Sequence, residues 1–155
     1  MTTVGDVTML KGIPAILSPE LLSALCAMGH GDEIVLADGN FPAESQGVPV
    51  VRCDGHGVPD LLKAILKLFP LDNYVEQPVA LMEVVKGDIY KPIIWDEYKS
   101  ILAVNGCNDN QIEYMERYAF YDRTKKAFAV VATGEMSQYA NVILKKGIVK
   151  PEDIQ

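Results

Sequence analysis

The chain has 155 residues, 49% of them hydrophobic and 23% charged, which is enough to bury a sizeable core and excludes a disordered chain. A net charge of −7, with no Lys/Arg run longer than Lys145-Lys146, excludes the basic face of a nucleic-acid or anionic-membrane binder and points to a neutral small molecule as partner. No stretch approaches the roughly 20 apolar residues of a membrane helix, and the N-terminus carries no leader pattern, so a cytoplasmic protein is expected.

Residues 1–10 read as a loose lead-in and residues 148–155 as an exposed tail. Between them the expectation is one α/β domain. Ser18-Pro19-Glu20 marks a helix start: Ser18 can cap free amides and Pro19 suits the first turn. Leu21, Leu22, Leu25 and Met28 follow at helical spacing, and Gly29 reads as the stop. Residues 34–37 (IVLA) are a continuous apolar run, the pattern of a strand covered on both faces. Residues 38–47 are loop. Residues 48–53 form a strand with Pro49 at its entry, and residues 59–69 an amphipathic helix with Lys63 and Lys67 outward.

Residues 79–82 (VALM) are a third strand. Residues 94–104 are a helix with Ile94, Tyr98, Ile101 and Leu102 on one side, Trp95 as an anchor and Gly106 as its end. Residues 117–126 are helical, with Arg117 and Tyr121 four apart on one face. Residues 127–132 and 141–145 are the last strands. The span between these two is too short for a helical crossover, so part of the sheet is expected to be antiparallel. Alternating strands and helices predict a three-layer α/β/α domain with a mostly parallel central sheet.

The densest polar cluster is Gly29-His30-Gly31-Asp32-Glu33, with Asp38 after the buried run. An imidazole between glycines sits on a backbone that bends freely and leaves the ring uncovered, and imidazole is the side chain suited by its chemistry to carry a proton. The residues alone equally allow a solvated loop histidine, and they do not separate His30 from His56 in Gly55-His56-Gly57. A second cluster gathers Arg117, Tyr118, Tyr121, Asp122 and Arg123 with Tyr139-Ala140-Asn141. Many donors with few full negative charges suit a polyhydroxyl ligand.

Two histidines and no local Cys/His pair make a dedicated metal site unexpected, and no cofactor is expected. Cys26, Cys53 and Cys107 have no framework spacing and read as reduced, buried, small apolar residues. There is no GxSxG elbow, GxGxxG or Walker sequence.

Residues 29–38 (GHGDEIVLAD) followed by Asn40-Phe41-Pro42, together with residues 120–135 (FYDRTKKAFAVVATGE), 139–147, 18–28 and 71–74, resemble the fucose mutarotase / ribose pyranase family, most nearly its animal-type fucose mutarotases. The resemblance runs over about residues 10–147. It implies an isomerase acting on a free monosaccharide, L-fucose or else D-ribose, and a ring-like homo-oligomer, commonly a decamer in bacterial members, with sites at subunit contacts.

The same resemblance makes His30 the proton donor and carries sugar binding to Asp38, Arg117, Tyr139, Ala140 and Asn141. In that scheme Asp38 orients the imidazole or accepts from a sugar hydroxyl, Arg117 donates to sugar oxygens, and Tyr139 and Asn141 hold the remaining hydroxyls. Tyr121 is a weaker proton relay, and His56 returns to the loop. Two departures bear on the sugar: Ala140 stands where fucose mutarotases often have Gly, and Asn40-Phe41-Pro42 replaces the Gly-Leu-Pro typical of pyranases. The readings carried forward are a fucose mutarotase, a ribose pyranase, a sugar-binding module without turnover and, last, a structural oligomer subunit.

Overall fold

The computed structural model describes residues 10–154; apart from Leu10, the expected lead-in lies outside them. Ten regular elements follow in chain order: α1 (Pro19–Ala27), β1 (Glu33–Ala37), β2 (Val50–Cys53), α2 (Val58–Ile65), β3 (Val79–Met82), α3 (Ile94–Val104), β4 (Ile112–Met115), α4 (Arg117–Thr124), β5 (Ala129–Thr133) and β6 (Val142–Lys145). The strands form one six-stranded sheet in the order β2-β5-β1-β6-β3-β4. Strands β1, β2 and β5 run parallel, as do β3 and β4, while β6 lies antiparallel between β1 and β3. The sheet is thus mostly parallel with one reversed strand at its centre. The reversal comes where the short β5–β6 connection predicted it, although β6 pairs with β1 and β3 instead of β5.

Strand β1 explains the architecture. Its run of apolar residues is continuous because side chains of alternate residues enter different cores. Ile34 and Leu36 join the larger core, built with Leu21 and Leu25 of α1, Leu61, Leu62 and Ile65 of α2, and Tyr98 and Leu102 of α3. Val35 and Ala37 point the other way, into a smaller core with Phe120 of α4, Phe41, Ala43 and Ile143. Three helices cover one face of the sheet, and α4 with the 3₁₀ turn Ala43–Gln46 covers the other, which makes the three layers.

Caps come from where the sequence puts acceptors. Ser18 Oγ accepts from the Leu21 amide at 3.2 Å and starts α1. Glu116 caps α4 with both carboxylate oxygens, taking the Tyr118 and Ala119 amides. Helix α1 ends at Ala27 with Met28 already extended, so Gly29 is not its stop. Strand β4 was not anticipated: it is an edge strand of four residues whose Tyr114 is exposed. The expectation of three buried thiols holds for Cys53 and Cys107 and fails for Cys26, which is exposed; all three are free.

The ends of the strands are cross-tied. Beyond β5, the Gly134 amide donates to the His56 carbonyl at 2.9 Å, and Glu135 Oε1 accepts from the Val58 amide at 3.0 Å, capping α2 from 77 positions away. A Cβ on Gly134 would lie 2.1 Å from the Asp54 carbonyl oxygen. Gly134→Ala therefore forces the two backbones apart. It should cost about 1–3 kcal/mol, read as a lower urea midpoint with an unchanged m-value.

Candidate functional site

Five of the six strands point their C-terminal ends to one side of the molecule, and β6, running the other way, brings its N-terminal end there. In open α/β sheets that side is where loops converge and ligands bind. Here it gathers Asp38 after β1, Val85 after β3, Arg117 at the start of α4 after β4, and Gln138, Tyr139 and Asn141 before β6. With Asn40, Phe41, Met82 and Tyr121 they line a cavity of about 290 Å³, the scale of a single small ligand.

Asp38 is the cavity's buried charge, only 9% exposed. Burial pushes its carboxyl above the ordinary value and the nearby Glu135 charge adds to this, while the amides of Asn40, Ala140 and Phe41 pull the other way. Its own backbone N–H donates to Asn141 Oδ1 at 2.7 Å. Because a backbone amide only donates, that bond engages the carboxamide oxygen of Asn141 and leaves its NH₂ as the group a ligand can use. Ala140 is fully buried and does not line the cavity; it acts through its backbone, donating to Asp38 and accepting from the Tyr98 hydroxyl at 2.7 Å.

Tyr139 adopts φ 57°, the left-handed region that a tyrosine enters at a cost of about 1–3 kcal/mol. Four contacts hold it there. Its carbonyl accepts from Trp95 Nε1 at 2.8 Å, and its ring stacks on Tyr90. Its hydroxyl donates to Asp88 Oδ2 at 2.7 Å and accepts from the Val85 amide at 3.2 Å. The phenol expected to hold a sugar hydroxyl is therefore already engaged with the loop after β3, and what remains for a ligand is one lone pair and the ring. Arg117 is exposed at the rim, its Nε donating to the Tyr121 hydroxyl at 3.2 Å, with its guanidinium over the rings of Tyr118 and Tyr121.

His30 is not in this cavity. It precedes β1 and Asp38 follows it, so even the five-residue strand separates them by about 17 Å. Within one chain Asp38 does not reach the imidazole, which corrects that expectation; the carboxylate beside the ring is that of Asp72. His30 Nε2 lies 3.0 Å from Asp72 Oδ1, and the ring rests against Tyr74 at 5.2 Å between centroids. The imidazole is 43% exposed and the carboxylate 4%. Asp72 stands 42 positions from His30, and no local pattern could have paired them. Phe41 and Gln138 adjoin residues already singled out, so adjacency could have found them, whereas Val85 and Asp88 give no such signal.

His56 is exposed in its loop. Among the described residues no group of three or more His, Cys, Asp and Glu side chains is placed to hold a metal ion, and no helix is long and apolar enough to cross a membrane.

The human fucose mutarotase is 57% identical over 146 residues, covering 90% of this chain and 94% of that protein. The crystal structure of the fucose mutarotase from Streptococcus pneumoniae in complex with L-fucose superposes with a TM-score of 0.88 at 52% identity, covering 91% of this chain and all of that one. The Bacillus subtilis RbsD complexed with D-ribose is more distant, with a TM-score of 0.69 at 25% identity over 86% of this chain and 95% of that one. With the model of the RbsD / FucU transport protein family matching residues 11–149 as well, the chain belongs to that family.

Proposed function

We propose that this chain interconverts the α and β anomers of free L-fucose by general acid–base catalysis. The observation that carries this reading is the cavity at the strand ends, which combines one buried carboxylate, one guanidinium and the carboxamides of Asn40, Gln138 and Asn141 with apolar walls. That set fits an uncharged polyhydroxyl ring: Asp38 accepts from hydroxyls, while Arg117 and Asn141 donate to oxygens. The relatives support the choice of sugar. Those at 52% and 57% identity are fucose mutarotases, whereas the ribose-bound relative stands at 25%. Ala140 replaces a glycine without altering the cavity wall, because its side chain is buried away from it.

Anomer exchange requires a proton to leave O1 and one to reach the ring oxygen O5. In opening, the O1–H and C1–O5 bonds break while C1=O1 and O5–H form. A single imidazole that accepts at O1 and delivers to O5, directly or through one water, is regenerated in each half-cycle. Rotation about C1–C2 and the reverse transfers give the other anomer. Acid–base help of about 10²–10⁴-fold suffices for a reaction that already proceeds unaided. Arg117 at the rim stabilises negative charge developing on O1 or O5.

His30 is the imidazole of this scheme. Lying at the far end of β1, it serves the cavity of another copy, so the working unit is a homo-oligomer with composite sites. Apolar side chains exposed on the segments that border the cavity support this: Val85, Ile89 and Ile93 after β3, Met136 before β6, and Tyr118 beside Arg117. Ile89 is 93% exposed and Met136 89%, as befits a surface that another copy covers.

Saturation-transfer NMR on L-fucose tests the reading. His30→Ala should slow enzyme-dependent anomer exchange by about 100-fold or more with the fold intact, and Arg117→Ala should raise the fucose concentration needed for saturation. At a fucose concentration well below what Arg117→Ala needs for saturation, each variant alone should be slow, but the two refolded together should recover a fraction of the activity, because some sites then pair an intact His30 with an intact Arg117. No recovery would place both groups in one chain's site. Fucose binding without faster exchange would make the protein a binding module, and faster exchange for D-ribose alone would make it a pyranase.

Asp38 gives a pH-dependent prediction. Its folded pKa lies above the unfolded value, so ionisation opposes folding above that range, and the opposition vanishes once pH falls below the unfolded pKa of about 3.9. Asp38→Asn should therefore raise the urea midpoint at pH 7, with the gain shrinking as pH approaches 4, while anomer exchange falls at every pH.

A further inference from the structure

Helix α3 buries Ile94, Tyr98, Ile101 and Leu102 against the sheet. Two of its side chains also make bonds that packing alone does not call for. Trp95 and Tyr98, neighbours one turn apart, both aim a polar hydrogen at the segment that enters β6. The indole Nε1–H donates to the Tyr139 carbonyl at 2.8 Å, and the buried Tyr98 hydroxyl donates to the Ala140 carbonyl at 2.7 Å. On β4, Tyr114 lies against the indole at 5.2 Å between centroids and limits its rotation.

The peptide joining Tyr139 to Ala140 carries the consequence. In a trans peptide the carbonyl and the amide N–H point to opposite sides. A carbonyl held toward α3 therefore turns the Ala140 N–H away from that helix, and this N–H is one of the three amides that face the Asp38 carboxylate. Indole, peptide and carboxylate form a chain of hydrogen bonds across one peptide plane, in which donation to the carbonyl strengthens donation by the amide. The next residue closes the arrangement from the other direction, because Asn141 Oδ1 accepts from the Asp38 N–H at 2.7 Å. Tyr139 stands at φ 57°, a conformation that persists only where its surroundings impose it. The backbone's own preference does not fix this plane, and the two donors on α3 do.

We propose that Trp95 is a positioning residue for sugar binding: through its indole N–H, with the Tyr98 hydroxyl beside it, it holds the Tyr139–Ala140 peptide in the orientation that aims Asp38 and Asn141 into the cavity. This rests on the cavity being the L-fucose site. Neither Trp95 nor Tyr98 lines that cavity, so both act at one remove from the ligand. Asp38 and Asn141 grip hydroxyls alike in the bound sugar and in the transition state. Loosening them therefore weakens binding without slowing the chemical step.

Trp95 is the only tryptophan of the chain, which permits a single-atom test. Expression in a tryptophan auxotroph fed β-(3-benzothienyl)alanine replaces the indole N–H by sulfur at this one position and keeps the shape of the ring. Saturation-transfer NMR over a range of L-fucose concentrations then reads half-saturation and maximal rate separately. The analogue protein should need about 3- to 10-fold more fucose for half-saturation, the effect of one lost neutral hydrogen bond, at an unchanged maximal rate. Trp95→Phe and Tyr98→Phe, each lacking one donor, should shift half-saturation in the same direction.

A purely structural role has a different signature: fewer active molecules lower the maximal rate and leave half-saturation where it was. Half-saturation unmoved in the analogue protein, at whatever maximal rate, overturns the proposal. If the unsubstituted protein does not accelerate fucose exchange at all, the proposed function falls, and the role of Trp95 falls with it.

Discussion

Strand β1 is a five-residue rod with no free edge and no free face. It is hydrogen-bonded to β5 on one side and β6 on the other, and its side chains enter one core or the other in alternation. Such a segment transmits position rigidly, because any shift of register would move its apolar residues to the opposite cores. Whatever precedes it and whatever follows it are held apart at a fixed distance. His30 precedes it and Asp38 follows it. The placement of both polar centres, and their separation within one chain, derives from this one buried strand.

The polar groups at the two ends are secured by different means. At the cavity end, Asp38, Tyr139 and Asn141 are fixed by bonds among loops, and the cost of a tyrosine at positive φ is offset by contacts with Trp95, Tyr90, Asp88 and Val85. Strain held in place by surrounding structure is typical of positions where geometry matters more than local stability. At the His30 end the order comes from backbone pairing to the end of β6. A further, partly buried network, Arg123 with Glu33 and Glu113, ties α4 to β1 and β4 on the thinner face of the sheet. It accounts for Arg123, which the sequence reading gathered with Arg117 and Tyr121, and places it in the framework, away from the ligand cavity.

Legibility in the sequence followed the range of the interactions. The start of α1 was readable because Ser18 caps it from three residues away, and α3 because its buried face repeats within its own eleven residues. Strand β1 was readable because burial on both faces leaves a continuous apolar run. Strand β4 was not: an edge strand of four residues, with exposed Tyr114 and partly exposed Glu113, has neither a continuous run nor a full alternation to show. Gly29 misled because glycine is a common helix stop, yet α1 closes through an extended Met28. In the candidate site, the residues found were those in sequence clusters or in the family pattern. Asp72 lies in the 71–74 stretch of that pattern, but its pairing with His30 was not legible, because a contact 42 positions apart leaves no local periodicity. Asp38 took its place in the sequence reading through nearness along the chain, which a strand converts into distance in space.

The chemistry asks little of this protein beyond placement. Opening a hemiacetal needs no redox change, and a neutral sugar brings no charge to be neutralised, so the site does not have to supply a strong electrostatic field. What it must do is present a fixed pattern of donors and acceptors. That requirement explains the distribution of hydrogen bonds. Asn141 spends its oxygen on Asp38, Tyr139 its hydroxyl proton on Asp88, and Asp72 Oδ1 lies 3.0 Å from His30 Nε2. Each of these internal bonds removes one of two ways in which the side chain could meet a ligand, leaving one donor or acceptor pattern in place of several. Selectivity for a polyhydroxyl ring then follows from the groups left over, because a ligand with the wrong pattern would leave a desolvated donor or acceptor unpaired, at a cost of about 1–3 kcal/mol each.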